Sequence, residues 1–280
     1  MMRTDRDSIE AELVYDRYLG RGDALDVFQE VLRHHAPTWS QELRVHKGPR
    51  DQLAIDIRAP GGLKAAVLTA AGERGPLYGA LVAEYGRGHE RVFGSAELRG
   101  SSHELIVVVA VDEDPFAPIG GAVLLGNRIS LQLPRPHVNR QPASVWASVI
   151  FEDLCAVTSP AWGSVRSIAE YEAKVMSDGP HTAAVGRNFA RFLPGLFTVN
   201  FLGEAYCELI GRERLLTAPA MRAELVDSGA LLVLGQDPAE WDTPPRRDAE
   251  QAVLDHIGRE HFFLKDRNMA VETRAPDWSR

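Results

Sequence analysis

The stretch Leu193-Pro194-Gly195-Leu196-Phe197-Thr198-Val199-Asn200-Phe201-Leu202-Gly203-Glu204-Ala205-Tyr206-Cys207-Glu208-Leu209-Ile210-Gly211-Arg212 decides how the chain is read. Phe197, Val199 and Phe201 alternate with Thr198 and Asn200, the period of a strand with one buried face. Gly203 breaks that run. Tyr206, Leu209 and Ile210 then recur at helical spacing, and Gly211 suits the end of a short helix. A strand, a tight turn and a short helix are expected in succession. Phe197, Val199 and Phe201 should face helix side chains, with Tyr206, Leu209 and Ile210 over the strand's end. Asn200 is the one polar side chain in the run without an evident reason, and Cys207 reads as packing.

Outward from this stretch, apolar residues alternate over 9–18, placing Ile9, Ala11, Leu13 and Tyr15 on one face. Asp23 can cap a helix over roughly 24–35. Strands are expected over 43–46, 53–58, 91–98 and 128–133. The run 63–71 fits helix or strand, and 77–85 reads as helix. The β-branched run 105–111 predicts a central strand covered on both faces. Three prolines in 134–142 precede the clearest helix, about 143–157. Its expected buried stripe is Trp146, Val149, Ile150, Leu154 and Val157, with Asp153 inside it. A short strand over 161–165 and a helix over 168–176 follow. A hairpin is expected over 221–234 around Asp227-Ser228-Gly229. Thr243 and Pro244 open a last helix with Ala249, Ala252, Val253, His256 and Ile257 on its inner face.

Strands and helices mix without a regular βαβ alternation. The pattern predicts an α+β fold, a largely antiparallel mixed sheet with helices packed on it. Residues 1–265 read as a single α+β domain, or as two similar-sized halves meeting near 134–142. Residues 266–280 read as a polar tail that frays.

The chain has 280 residues and a formal net charge of −8. The acidic excess lies after residue 100, with 9 acidic against 5 basic groups in 101–180 and 15 against 12 in 181–280. That balance argues against direct nucleic-acid binding, which needs a basic footprint. No apolar run is long enough to span a bilayer, and the charged N-terminus leads into no apolar signal region, so a cytoplasmic location is expected. Cys155 and Cys207 form no metal spacing, and a disulfide between them is disfavoured without an export signal.

Nine histidines supply no His-Glu-x-x-His pattern, and His256 and His261 are out of phase for one helix face. No Gly-x-Ser-x-Gly elbow, P-loop or Gly-x-Gly-x-x-Gly occurs. No catalytic, cofactor-binding or metal-ligating residue is therefore assigned. The alternative, an enzyme with dispersed residues, is a hydrolase or transferase drawing on Glu152, Asp153, Cys207 and a histidine. A scaffold or self-associating subunit is a further alternative. Two acidic segments suit contact with a basic protein, Asp112-Glu113-Asp114 and Asp237-Pro238-Ala239-Glu240-Trp241-Asp242. In the second an indole sits among three carboxylates, an aromatic anchor ringed by charge. The expected partner-binding residues are thus Asp112, Glu113, Asp114, Asp237, Glu240, Trp241 and Asp242.

Two parts of the chain carry a family likeness. In the first, Leu131-Gln132-Leu133-Pro134 leads to the helix from Ser144-Val145-Trp146 through Leu154, then to Ser159-Pro160-Ala161-Trp162-Gly163-Ser164-Val165. The second is the Leu193–Arg212 stretch, followed by the hairpin and the last helix. Together, over about 120–262, they resemble the immunity-protein-52 family and related immunity proteins of bacterial polymorphic-toxin and type VI secretion systems. The resemblance implies a cytoplasmic α+β protein that binds and neutralises a cognate toxin, a nuclease among the family's partners. It implies no enzymatic activity, no cofactor and no membrane partner. A basic toxin would suit the acidic surface, and a homodimer is compatible with it. Toxin-contacting surfaces differ between members, so the likeness carries over no binding residue.

Overall fold

The computed structural model describes residues 8–17, 26, 27, 30, 42–46, 52–56, 91–99, 104–112, 118–119, 122–123, 127–133, 143–176, 186–265 and 274–278. Side chains are described for 8–17, 26, 27, 30, 127–131, 148–176, 186–265 and 274–278. The expected helix over 24–35 is described only at residues 26, 27 and 30, which are helical. The expectations for 63–71, 77–85 and the 134–142 boundary lie outside the described residues.

The strands are β1 (Ile9–Tyr15), β2 (Glu42–His46), β3 (Gln52–Asp56), β4 (Arg91–Arg99), β5 (Glu104–Asp112), β6 (Pro118–Ile119), β7 (Ala122–Val123), β8 (Asn127–Leu133), β9 (Trp162–Ser167), β10 (Val199–Gly203), β11 (Arg222–Val226) and β12 (Gly229–Val233). Ten of them form one sheet in the order β11-β12-β10-β9-β1-β8-β5-β4-β2-β3, while β6 and β7 pair apart. Every described ladder is antiparallel, so the sheet is less mixed than expected. The helices are α1 (Ala143–Thr158), α2 (Ile168–Val175), α3 (Glu204–Ile210), α4 (Arg212–Leu216) and α5 (Pro244–Ile257). The α+β class is as the sequence predicts. No described helix is long and apolar enough to cross a membrane.

The first strand lies in the middle of the sheet, between β8 and β9, and all seven of its residues are buried. Its odd residues face α1, which packs on β1, β8 and β9. Gly163 makes room there, because a Cβ at that position would come within 2.8 Å of the Phe151 ring. The Tyr15 hydroxyl and Thr158 Oγ1 hydrogen-bond at 2.8 Å on the same face. That docking corrects the expected stripe of α1. Ile150, Phe151, Leu154, Cys155 and Thr158 are buried, whereas Val149 and Val157 are exposed. Asp153 is also exposed. The helix is rotated so that Phe151, the bulkiest of these groups, fills the space left by the glycine.

The opposite face of the central strands carries Val14, Trp162 and Leu202 and is covered by α2, α3, α5 and the segment 186–198. These elements form one apolar core with Phe189, Leu193, Phe197, Tyr206, Val253 and Ile257. The opening stretch does form strand, turn and helix, but Phe197 departs from the expected alternation. Val199 and Phe201 stand opposite Val165 and Gly163 on the α1 face. Phe197 instead meets Trp162 edge-on at 6.1 Å and stacks on Tyr171 at 6.3 Å, on the other face.

Asn200 causes the crossing. Its Oδ1 accepts from the Phe197 N–H at 2.7 Å, and its Nδ2 donates to the Phe197 carbonyl at 2.8 Å. The side chain thus takes the place of a ladder partner for a backbone entering the sheet. Cys207 is packing, as expected, with its thiol donating to the Leu202 carbonyl. Both cysteines are free.

Two further expectations shift. In α5 the buried residues are Arg246, Val253, Leu254 and Ile257. Ala252 is exposed and Ala249 and His256 are half-buried. At the C-terminus, residues 274–278 return to the core rather than fray. The Trp278 indole N–H donates to the Phe189 carbonyl at 2.9 Å, and its ring meets Tyr206 edge-on at 5.7 Å.

Replacing Asn200 by Ala should cost about 1–3 kcal/mol, because the buried Phe197 N–H loses its partner. Equilibrium urea unfolding measures the loss. Asn200→Asp should not recover it at neutral pH, because a buried carboxylate would then face the Phe197 and Leu232 carbonyls.

Candidate functional site

Among the described residues, a dense group of ionisable side chains lies inside the sheet. On the face away from α1, β1 carries Glu10 and Glu12 opposite Arg166 and Ser164 of β9. Glu12 is wholly buried. Its carboxylate accepts from Arg166 Nη2 at 2.6 Å and from Arg187 Nη2 at 2.6 Å, and Arg128 Nη1 lies 3.5 Å away. Arg166 also donates to Glu10 at 2.9 Å and to Ser164. Its guanidinium lies over Tyr171, 4.4 Å from the ring centroid, and over Phe197 at 5.1 Å.

Burial alone would raise the Glu12 pKa, but the charges of Arg187, Arg166 and Arg128 outweigh it and hold the carboxyl well below its usual range. Arg166 and Arg187 are likewise desolvated and raised by their carboxylate partners. Both cations remain charged. Arg128, a third exposed, is the member of this group most open to solvent. A largely buried ionic cluster of this kind holds strands in register.

A second group joins α2 to α5. Lys174 Nζ donates to Glu170 at 2.8 Å, to Glu250 at 2.7 Å and to the Leu196 carbonyl at 2.6 Å. Buried Arg246 lies 3.8 Å from Glu170 and 3.6 Å from Glu250. Here two cations meet two carboxylates, whereas the first group sets three arginines against two glutamates.

The accessible site is elsewhere. A groove of about 590 Å³ lies between the end of β1, the outer side of α3 and the returning C-terminal segment. Four carboxylates line it, those of Asp16, Glu204, Glu208 and Asp277, alongside Ala205, Leu209, Pro276 and Trp278. Glu204 pairs with Arg212. The other three carboxylates belong to three separate parts of the chain, so the negative charge is made by tertiary convergence. Trp278 is held by its bond to Phe189, which keeps an aromatic surface beside the acids. This combination suits a basic side chain with an apolar stem, by charge pairing and by contact with the indole.

The expected partner-binding residues divide differently. Asp112 ends β5, and Glu113 and Asp114 lie outside the described residues. Asp237 caps the turn Pro238–Glu240, accepting from the Ala239 N–H at 2.9 Å. Trp241 is half-buried, and Glu240 and Asp242 are exposed. Asp242 stands 3.6 Å from Arg247. Asp237, Glu240, Trp241 and Asp242 do not line the groove. The sequence reading did not single out Asp16, Glu204, Glu208 or Asp277, since each looks like an ordinary solvated charge until the fold brings them together.

The residues suggested for an enzyme are not assembled either. Glu152 pairs with Arg222, and Asp153 points away from the sheet side of α1. Burial pushes the Cys207 thiol up to about 11, unfavourable for a thiolate nucleophile. Among the described residues no group of histidine, cysteine and carboxylate side chains is placed to hold a metal ion.

No protein-family model matches the chain, and no curated protein matches it in sequence. Among solved structures, the chain is similar to the Pseudomonas aeruginosa T6SS protein PA0821, with 13% identity and a TM-score of 0.47. The alignment covers 93% of this chain and 79% of that one. A likeness at that level assigns no role to this chain.

Because the folded-state pKa of Glu12 is depressed, its contribution to stability is present above the ordinary glutamate value, about 4.3 in an unfolded chain, and fades as the pH falls below it. Urea midpoints measured between neutral and acidic pH should fall in that window. Glu12→Gln should lower stability at neutral pH by about 3–5 kcal/mol, the cost of leaving buried cations unpaired, and should flatten the acidic slope.

Proposed function

We propose that this protein is a non-catalytic immunity protein that binds and neutralises a cognate toxin. The observation that carries the reading is the groove, an open concavity that gathers four carboxylates around an anchored tryptophan. Its chemistry selects a basic protein segment. A nucleic-acid-cleaving toxin presents such a surface to its phosphate-rich substrate. An acidic inhibitor seated there would exclude the substrate and gain encounter rate from charge attraction. The family likeness of the α1–β9 and Leu193–Arg212 regions points the same way. The chemistry of Cys207 and the exposure of Asp153 favour this reading over an enzyme built on those residues.

Co-expression with the toxin candidates encoded beside its gene tests the proposal. The expected result is rescue of growth and a co-purifying complex whose affinity falls as salt is raised. If no candidate is neutralised and none co-purifies, the reading fails. In a neutralised pair, Asp16→Lys combined with Glu208→Lys should weaken binding at least about tenfold. Glu240→Lys on the separate acidic loop should leave it nearly unchanged. The reverse pattern would move the binding surface to the loop.

A further inference from the structure

The sheet ends at β11, which pairs with β12 on one side and with no strand on the other among the described residues. Such an edge presents unpaired backbone groups, and proteins ordinarily shield it with charge, proline or a cover. Here the edge is apolar on one face. Met221 is 61% exposed and Leu225 is 37% exposed. Leu216, also exposed, lies on α4, which packs on β11.

The register of the hairpin decides which backbone groups are free. Val226 and Gly229 flank the two-residue turn Asp227-Ser228 and stand opposite each other. The turn hydrogen bond directs the backbone groups of Val226 toward β12. Alternation then turns those of Glu224 and Arg222 the same way and leaves Ala223 and Leu225 facing outward. In an antiparallel pairing of two β11 edges, a two-fold axis at Ala223 sets Ala223 against Ala223. It also sets each Arg222 against the other copy's Glu224, and each Met221 against the other copy's Leu225. Both exposed apolar groups are covered, and both charges meet their opposite. Moving the axis to Glu224 sets two carboxylates face to face, which is destabilising. Moving it to Leu225 drives Arg222 into the turn at Ser228.

We propose that a second copy of this chain docks along β11, continuing the sheet across a two-fold axis at Ala223. The pairing is isologous, with the same strand supplying both halves of every contact. It is independent of the toxin-binding reading, since β11 contributes no residue to the groove.

Sedimentation velocity of the full chain across a wide concentration range is the first test. It should show a monomer–dimer equilibrium. Glu224→Arg, which leaves the Arg222–Glu152 pair in place, should weaken the dimer about tenfold by setting arginines against each other. The exchange Arg222→Glu with Glu224→Arg should restore it. Thermal melts of each variant separate loss of pairing from loss of fold. The second test is cross-linking with a short bismaleimide. Ala223→Cys should cross-link efficiently. Val226→Cys should not, because the two copies of that position lie about 20 Å apart along the paired strands. A monomer at every concentration overturns the proposal. So does a dimer that ignores Glu224→Arg, or one in which Ala223→Cys cross-links no better than Val226→Cys.

Discussion

The Glu12 carboxylate is wholly buried, with two guanidiniums 2.6 Å from it. An isolated carboxylate in that position would protonate or unfold its surroundings. Instead β9 supplies Arg166, the 186–198 segment supplies Arg187, and β8 supplies Arg128 at 3.5 Å. Each cation comes from a different part of the chain, so the charge is satisfied only when β1 lies between β8 and β9 in the observed register. A slip of one residue would turn Glu12 toward Phe151 and Leu154, where nothing can pair with it. The apolar side chains make the sheet favourable, and this ion cluster makes one arrangement of it far better than its neighbours.

The same logic extends outward. The arginine that neutralises Glu12 also lies over Tyr171 and Phe197, so the charge and the aromatic core hold the same elements. Lys174 joins Glu170 of α2 to Glu250 of α5 and to the Leu196 carbonyl. Leu196 immediately precedes Phe197, the residue that Asn200 holds on the Trp162 face. Helices and sheet are thus fastened by buried side chains of opposite charge, although Arg246 meets its carboxylates only as ion pairs, without a hydrogen bond. Other charges lie at the surface, where they can meet other molecules. Two surface regions are of unlike kind, a concave groove lined by four carboxylates and a strand edge on which Arg222 and Glu224 alternate with apolar residues. An unbalanced acidic surface favours a basic partner, whereas balanced and alternating charge favours a copy of itself.

Much of the fold was legible before the structure. The strands near 43, 53, 91, 105 and 128 lie where alternation or β-branched runs placed them, and the hairpin turns at Asp227-Ser228 as its residues require. The polar face of the first strand was assigned no role from the sequence alone. Glu10 and Glu12 alternate with apolar residues as a solvent face would, yet this strand is covered on both sides. Asp153 misled, since helical spacing alone could not distinguish a buried carboxylate from one beside the true stripe. The groove was illegible for a simpler reason. Asp16, Glu208 and Asp277 are far apart in the chain, and no local pattern links them.

By itself the sequence determined the α+β class, the existence and type of most elements, and the turn chemistry. These follow from local steric preference and hydrophobic period, which act over a few residues. The tertiary structure alone decided which face of each element is buried, which charges meet and which strand is left at an edge. Those outcomes depend on pairing across the sheet, where the cost of an unpaired buried group is settled only once its partner arrives. The Leu193–Arg212 stretch shows both halves of this division. Its strand, turn and helix are written in local periodicity. The crossing of Phe197 to the other face, and the contribution of Glu204 and Glu208 to an acidic groove, come from where the rest of the chain lies against it.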